Sequence, residues 1–110
     1  MLTIFFLLAT QALAANDERV LRDSGVILHV KKMPDDLEGY RLFFVTAKNR
    51  NGDKRTLSAK IYLYQQKHFA GECTLHMSLG GGSEQRFNKQ CKESAPSDSW
   101  EVEIIKIYDF

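Results

Sequence analysis

No charged residue occurs before Asp17. That uncharged stretch holds the apolar run Ile4-Phe5-Phe6-Leu7-Leu8-Ala9. It also holds Ala12-Leu13-Ala14, the small-x-small pattern that a signal peptidase reads. A membrane anchor needs roughly 20 apolar residues. This run is shorter, so no stable membrane span is expected. Residues 1–14 read as an N-terminal signal peptide, which makes the chain secreted or periplasmic. The basic residues usual at the front of such a signal are missing, and both compartments stay open. Residues 15–24 form a polar N-terminal arm with only Val20 and Leu21 as neighbouring apolar residues, a loose arm or a short helical turn. Residues 25–110 form a single domain.

Cysteine is scarce as well. Cys73 and Cys91 stand alone, with no CxxC spacing to suggest a metal site. Two cysteines in an exported chain most simply pair with each other. They enclose seventeen intervening residues. In the chain-entropy model a loop of that size contributes about 3 kcal/mol.

The familiar catalytic signatures are also absent. There is no nucleophile elbow, Ser-His-Asp order, P-loop or zinc-binding helix. Gly80-Gly81-Gly82 lacks the following helix and lysine of a phosphate cradle, and reads as a turn. His29, His68 and His76 would have to converge with Met33, Met77 or carboxylates to hold a metal. His29 and His76 instead fall on strand faces opposite their apolar neighbours. A ribonuclease-type arrangement would need His29 or His76 beside Arg41 and Glu101 or Glu103. Nothing in the spacing demands that. No cofactor, no metal and no catalytic residue is expected.

What the chain does contain is strand-like alternation, without repeats or low-complexity linkers. The expected strands are Val26–Met33, Tyr40–Lys48, Lys54–Gln65, Cys73–Leu79, Gln85–Cys91 and Trp100–Phe110. Pro34-Asp35-Asp36 is a turn cluster. Asn51-Gly52 is a strong hairpin signal, because a type I′ turn needs positive φ at both central residues. A two-residue turn there sets Tyr40, Leu42, Phe44 and Thr46 opposite Leu63, Ile61, Ala59 and Leu57 on one apolar face. Around Gly82 the same arithmetic opposes Met77 to Phe87 and Cys73 to Cys91, so the disulfide would clip a hairpin. A bridge between two sheets is the alternative. In the last strand Trp100, Val102 and Ile104 share a face, and Ile105 and Ile107 continue out of phase. That change calls for a β-bulge near Ile104-Ile105, or a strand buried on both faces. The expected fold is all-β: a small antiparallel β-sandwich or semi-open barrel of about six strands with one disulfide, Cys73–Cys91.

Net charge is only +1, but it is unevenly spread. Between Arg41 and Lys67 seven basic residues face one acid, Asp53. From residue 68 onward four basic residues face seven acids. Lys48, Arg50, Lys54 and Arg55 crowd the expected hairpin tip, a binding candidate whose bland counterpart is a solubilising, edge-guarding loop. On the outer face of the same hairpin Phe43, Val45, Tyr62 and Tyr64, interleaved with Arg41 and Lys60, read as a partner-binding patch unless a second strand layer covers them.

The expected function follows from these features. It is an exported non-enzymatic binding module, inhibitor-, immunity- or effector-like, that recognises a protein with an acidic surface. A glycan is a second partner class, and nucleic acid is disfavoured outside the cell. The alternatives are a small exported hydrolase acting on phosphodiester or glycan, and a structural component of a cell-envelope assembly joined through a sheet edge.

Overall fold

A computed structural model describes residues 17–34 and 37–109. The expected signal peptide at 1–14 lies outside the described residues, as do Asp35 and Asp36 of the turn cluster. Every regular element among the described residues is a strand: β1 (Glu18–Asp23), β2 (Val26–Lys32), β3 (Tyr40–Asn49), β4 (Arg55–Gln65), β5 (His68–Leu79), β6 (Glu84–Lys92) and β7 (Ser99–Tyr108). They form two antiparallel sheets, one ordered β1-β2-β3-β6 and the other β5-β4-β7. The all-β sandwich with one disulfide is as the alternation implies, with seven strands in place of six.

The additional strand, β1, comes from the polar arm. It pairs with β2 across six residue pairs, from Glu18 opposite Lys31 to Asp23 opposite Val26. Its inward positions are Arg19 and Leu21, so a single apolar side chain marks the buried face. That is too little for a period-2 signal. Ser24 and Gly25 close the hairpin with φ of 50° and 77°, the paired positive values that a type I′ turn demands.

The largest departure lies between β3 and β4. They do not pair. β3 runs between β2 and β6, and β4 runs between β5 and β7 in the other sheet. Neither Asn51 nor Gly52 has the positive φ that the expected turn requires. The segment is an arch that carries the chain from one sheet to the other. On β4 the expected inner face holds, with Leu57, Ala59, Ile61 and Leu63 buried. On β3 the phase is reversed. Phe43, Val45, Ala47 and Asn49 point inward, and Tyr40, Leu42, Phe44 and Thr46 point outward. Both faces of β3 are apolar enough to be inside, so only its partners choose.

The core is the space between the sheets. Val26, Leu28, Val30, Phe43, Val45 and Ala47 meet Leu57, Ala59, Ile61, Leu63, Leu75, Met77 and Leu79. Burying each large aliphatic or aromatic side chain contributes about 2 kcal/mol. Trp100 packs on Phe43 with ring centroids 5.0 Å apart. In β7, Ser58 pairs with Lys106 and Ala59 with Ile104, so Ile105 is the extra residue of a bulge. Ile105 points to solvent, and Ile107 returns to pack against the core.

The Cys73–Cys91 bridge forms, with Cα atoms 5.4 Å apart. It does not clip a hairpin within one sheet. Met77 lies opposite Leu57, and Phe87 opposite Val45. The bridge ties edge strand β5 of one sheet to edge strand β6 of the other, the inter-sheet alternative.

Asn49 is the buried polar residue of this core. Its Nδ2 donates to the carbonyl oxygens of Asp53 (2.8 Å), Leu79 (3.0 Å) and Gly80 (3.2 Å). Its Oδ1 accepts from the backbone N–H of Asn51 at 2.9 Å. The amide thus holds the arch against the β5–β6 turn. That turn approaches so closely that a Cβ on Gly81 would meet the Gly52 carbonyl oxygen. Replacing Asn49 by Leu strands several buried backbone groups, each worth about 1–3 kcal/mol when left unsatisfied. Asn49→Leu is expected to lower unfolding free energy by about 3 kcal/mol in urea titration. A loss below about 1 kcal/mol contradicts this role.

Candidate binding surface

The residues expected to bind do not converge. Lys48, the penultimate residue of β3, lies on the outer face of the four-stranded sheet, opposite Glu84. Arg50 and Lys54 are exposed along the arch. Arg55 begins β4 in the other sheet and is paired with Asp53. These cations are strung along a crossover, because the hairpin that would have gathered them is absent.

Arg41 and Phe43 leave the expected patch altogether. Phe43 is fully buried, as is Val45, because β3 turns that face to the core. Arg41 points to the open end of the sandwich. Its Nε donates to Glu93 Oε2 (3.1 Å) and Ser97 Oγ (3.0 Å), and its Nη2 donates to the Ser97 carbonyl (2.9 Å). Glu93 is almost completely buried and also accepts from the Ser97 N–H. This is a desolvated ion pair that organises the β6–β7 connection.

Lys60, Tyr62 and Tyr64 do point outward, from the middle strand of the three-stranded sheet. Lys60 Nζ lies 3.0 Å from Glu72 Oε2, and the Tyr62 hydroxyl donates to Glu103 Oε1 at 2.9 Å. Tyr64 meets Phe69 edge-on at 6.5 Å. Glu72, Glu101 and Glu103 outnumber Lys60 and Lys106 on this face, so its charge leans negative. His29 and His76 sit on the outer faces of opposite sheets, and Arg41 points inward, so the hydrolase arrangement is not assembled. Among the described residues no group of three or more His, Cys, Asp or Glu could hold a metal ion.

The outer face of the four-stranded sheet is the surface that the sequence reading missed. Register places Val20 beside His29, His29 beside Thr46 and Thr46 beside Arg86. One row along, Lys31 lies beside Phe44 and Phe44 beside Asn88. At the end, Tyr40 lies beside Lys92. Val20 and Tyr40 are exposed, while Leu42 and Phe44 are partly so. Five cations (Arg22, Lys31, Lys48, Arg86 and Lys92) share this face with two carboxylates, Glu18 and Glu84. Glu18 contacts His29 at 3.3 Å and Lys31 at 3.9 Å, and Glu84 contacts Arg86 at 2.7 Å. Arg22, Lys48 and Lys92 form no ion pair with a described residue. The signal for this surface was the opposite phase of β3.

A cleft of about 390 Å³ opens at the sandwich end, lined by Arg19, Lys32, Arg41, Leu63, Asp98 and Trp100 among others. Arg19 lies 4.4 Å over the Trp100 ring and donates to the Trp100 carbonyl at 3.0 Å. It also approaches Glu101. These contacts join β1 to β7. Asp17, Glu93 and Asp98 balance the three cations, which fits structural closure better than anion capture.

The hydrogen bond to Glu103, followed by partial desolvation, raises the Tyr62 phenol above its ordinary pKa. Glu72 likewise raises the Lys60 ammonium, chiefly through its hydrogen bond. Folded values above the unfolded ones mean that both contributions are complete at neutral pH. They are lost as pH rises through the folded values, above about 10. In a spectrophotometric tyrosinate titration, Tyr62→Phe is expected to remove signal from the high-pH end. Glu103→Gln should move that signal to lower pH, and an unmoved curve in Glu103→Gln contradicts the pairing.

No protein-family model and no curated protein matches the chain. Among solved structures, it is similar to the crystal structure of a DUF1425 family member from Shewanella sp. pv-4. The TM-score is 0.54, and the match covers 84% of this chain and 91% of that chain at 11% sequence identity. At that identity the likeness is one of fold, and it carries no indication of catalysis.

Proposed function

We propose that the chain is an exported, non-enzymatic binding module that recognises an acidic protein surface through the outer face of its four-stranded sheet. The observation that carries this reading is the composition of that face. Exposed and half-exposed apolar residues, Val20, Phe44 and Tyr40, share this face with five cations against two carboxylates. Aromatic anchors within a charged rim are the usual anatomy of a protein interface. The opposite sheet carries the negative surplus, so an acidic partner would be steered to one side of the molecule. Secretion or periplasmic residence rests on the Met1–Ala14 pattern. The disulfide between Cys73 and Cys91 is compatible with an oxidising compartment.

The triple reversal Lys31→Glu, Lys48→Glu and Lys92→Glu is expected to abolish salt-sensitive capture of acidic proteins from a native extract. Circular dichroism should show the fold retained. Phe44→Ala should weaken binding to a captured partner by about tenfold, the equivalent of about 1.4 kcal/mol. Undiminished capture by a folded triple variant removes this face from the mechanism.

A further inference from the structure

The edge strands of the two sheets are unequally guarded. β5 and β6 are joined by the Cys73–Cys91 bridge. On β5 the Ser78 carbonyl accepts from Gln85 Nε2 at 2.7 Å, and the Ala70 carbonyl accepts from the Ser94 N–H at 2.8 Å. On β6, Arg86, Lys89 and Lys92 outweigh Glu84, and Lys89 lies beside Phe43 on the inner face. An inward lysine and a surplus of one charge keep a second strand away. β7 carries the bulge at Ile105, and its Trp100 carbonyl is taken by Arg19. β1 has neither bulge nor charge surplus, since Glu18 and Asp23 balance Arg19 and Arg22. Its inward cation, Arg19, is held over the Trp100 ring.

The backbone groups that β1 turns outward can be assigned. The Lys32 N–H donates to the Asp17 carbonyl at 2.8 Å, which makes Asp17 and Lys32 a hydrogen-bonded pair. By the alternation of an antiparallel ladder, Arg19, Leu21 and Asp23 then bond to β2. The N–H and C=O of Glu18, Val20 and Arg22 point away from it. The Arg19 guanidinium agrees with this direction, since its Nη1 donates to the Glu18 carbonyl at 2.9 Å. A carbonyl oxygen has two lone pairs, so that of Glu18 can accept again.

Turned about a two-fold axis beside Val20, this edge complements itself. Val20 meets Val20 of the second copy, and Glu18 of each copy meets Arg22 of the other. All are narrow pairs that exchange two N–H···O bonds each, and their side chains share the outer face. Val20 is 48% exposed in the single copy, and Arg22 is exposed with no ion pair to a described residue. Glu18 has exposed contacts to His29 at 3.3 Å and Lys31 at 3.9 Å, which leave it room for a closer cation. Sliding either strand by two residues loses both charge pairs and one narrow pair, so the register is specified.

We propose that β1 is a dimerisation edge, through which two copies of this chain pair as antiparallel strands centred on Val20. The two four-stranded sheets then join into one continuous sheet, with both outer faces on the same side. This pairing needs no acidic partner and stands or falls independently of the reading above. A six-residue edge falls short of the roughly 800 Å² per partner of a standard interface. The dimer is therefore weak, with a Kd expected at about 10–100 μM.

The test is sedimentation velocity on the exported protein from about 1 μM to about 1 mM. A reversible monomer–dimer equilibrium is expected, and amide exchange at Val20 and Arg22 should slow as the dimer fills. Val20→Pro removes an N–H that the single copy does not use, and proline is tolerated on that side of an edge strand. This variant should keep its circular dichroism and stay monomeric throughout. Arg22→Glu and Glu18→Arg each set like charges opposite one another, and each should weaken self-association by about tenfold. An equimolar mixture of those two variants should dimerise close to wild-type strength, because the mixed pair again sets opposite charges together. A folding defect in either variant cannot produce recovery on mixing. The proposal is overturned by a protein that is monomeric at every concentration or that forms open-ended oligomers in place of a closed dimer. It is equally overturned by a folded Val20→Pro that dimerises like wild type, by no recovery on mixing, or by amide protection on β6 instead of β1.

Discussion

The carboxamide of Asn49 determines how this chain is folded back on itself. A lone amide in an apolar core must find a partner for each of its hydrogen-bonding groups. Here those partners belong to the arch that follows β3 and to the turn that follows β5. The neighbouring backbone extends the same junction. Asn49 N–H donates to Ser83, Arg50 N–H to Gly25, and Gly82 N–H to Asn51. Three connections thus meet at one end of the sandwich. Once they meet, β3 cannot pair with β4, and the chain must step from one sheet to the other between Asn49 and Arg55.

Everything on the surface follows from that step. With β3 seated between β2 and β6, Phe43 and Val45 face the second sheet and Phe44 faces water. The aromatic and cationic side chains then assemble on the outer face of the four-stranded sheet. The two seams where the sheets meet are closed by different means. The disulfide joins β5 to β6, and Arg19, stacked on Trp100 and bonded to its carbonyl, joins β1 to β7. The first is covalent. The second relies on one side chain from a short strand, so the β1–β7 seam is the weaker closure.

Much of the architecture could be read from side-chain order. β4 alternates cleanly between apolar and polar residues, so its inner face was legible. The pairing of the cysteines followed from their number. The bulge at Ile105 was visible as a break in rhythm between Ile104 and Ile107. The phase of β3 was not legible, because Leu42 and Phe44 on one side balance Phe43, Val45 and Ala47 on the other. Asn51-Gly52 misled for a related reason. Its local preference for a hairpin is overruled by long-range bonds to Gly25, Gly82 and Ser83, which no local window contains. Conversely, the tight turn at Gln66-Lys67 carries neither of the residues that announce one. The candidate contact surface inherited the error in β3. Lys60, Tyr62 and Tyr64 were placed outward correctly, and Arg41 and Phe43 were not.

The placement of β3 and β4 in opposite sheets can be observed directly by nuclear Overhauser contacts between backbone protons. This fold requires cross-strand contacts between Val45 and Phe87 and between Leu57 and Met77, the pairs that the two sheets set side by side. Phe44 and Ala59 should show none. Cross-strand contacts between Phe44 and Ala59, with those to Phe87 and Met77 missing, would contradict the arch at Asn49 and the surface built on it.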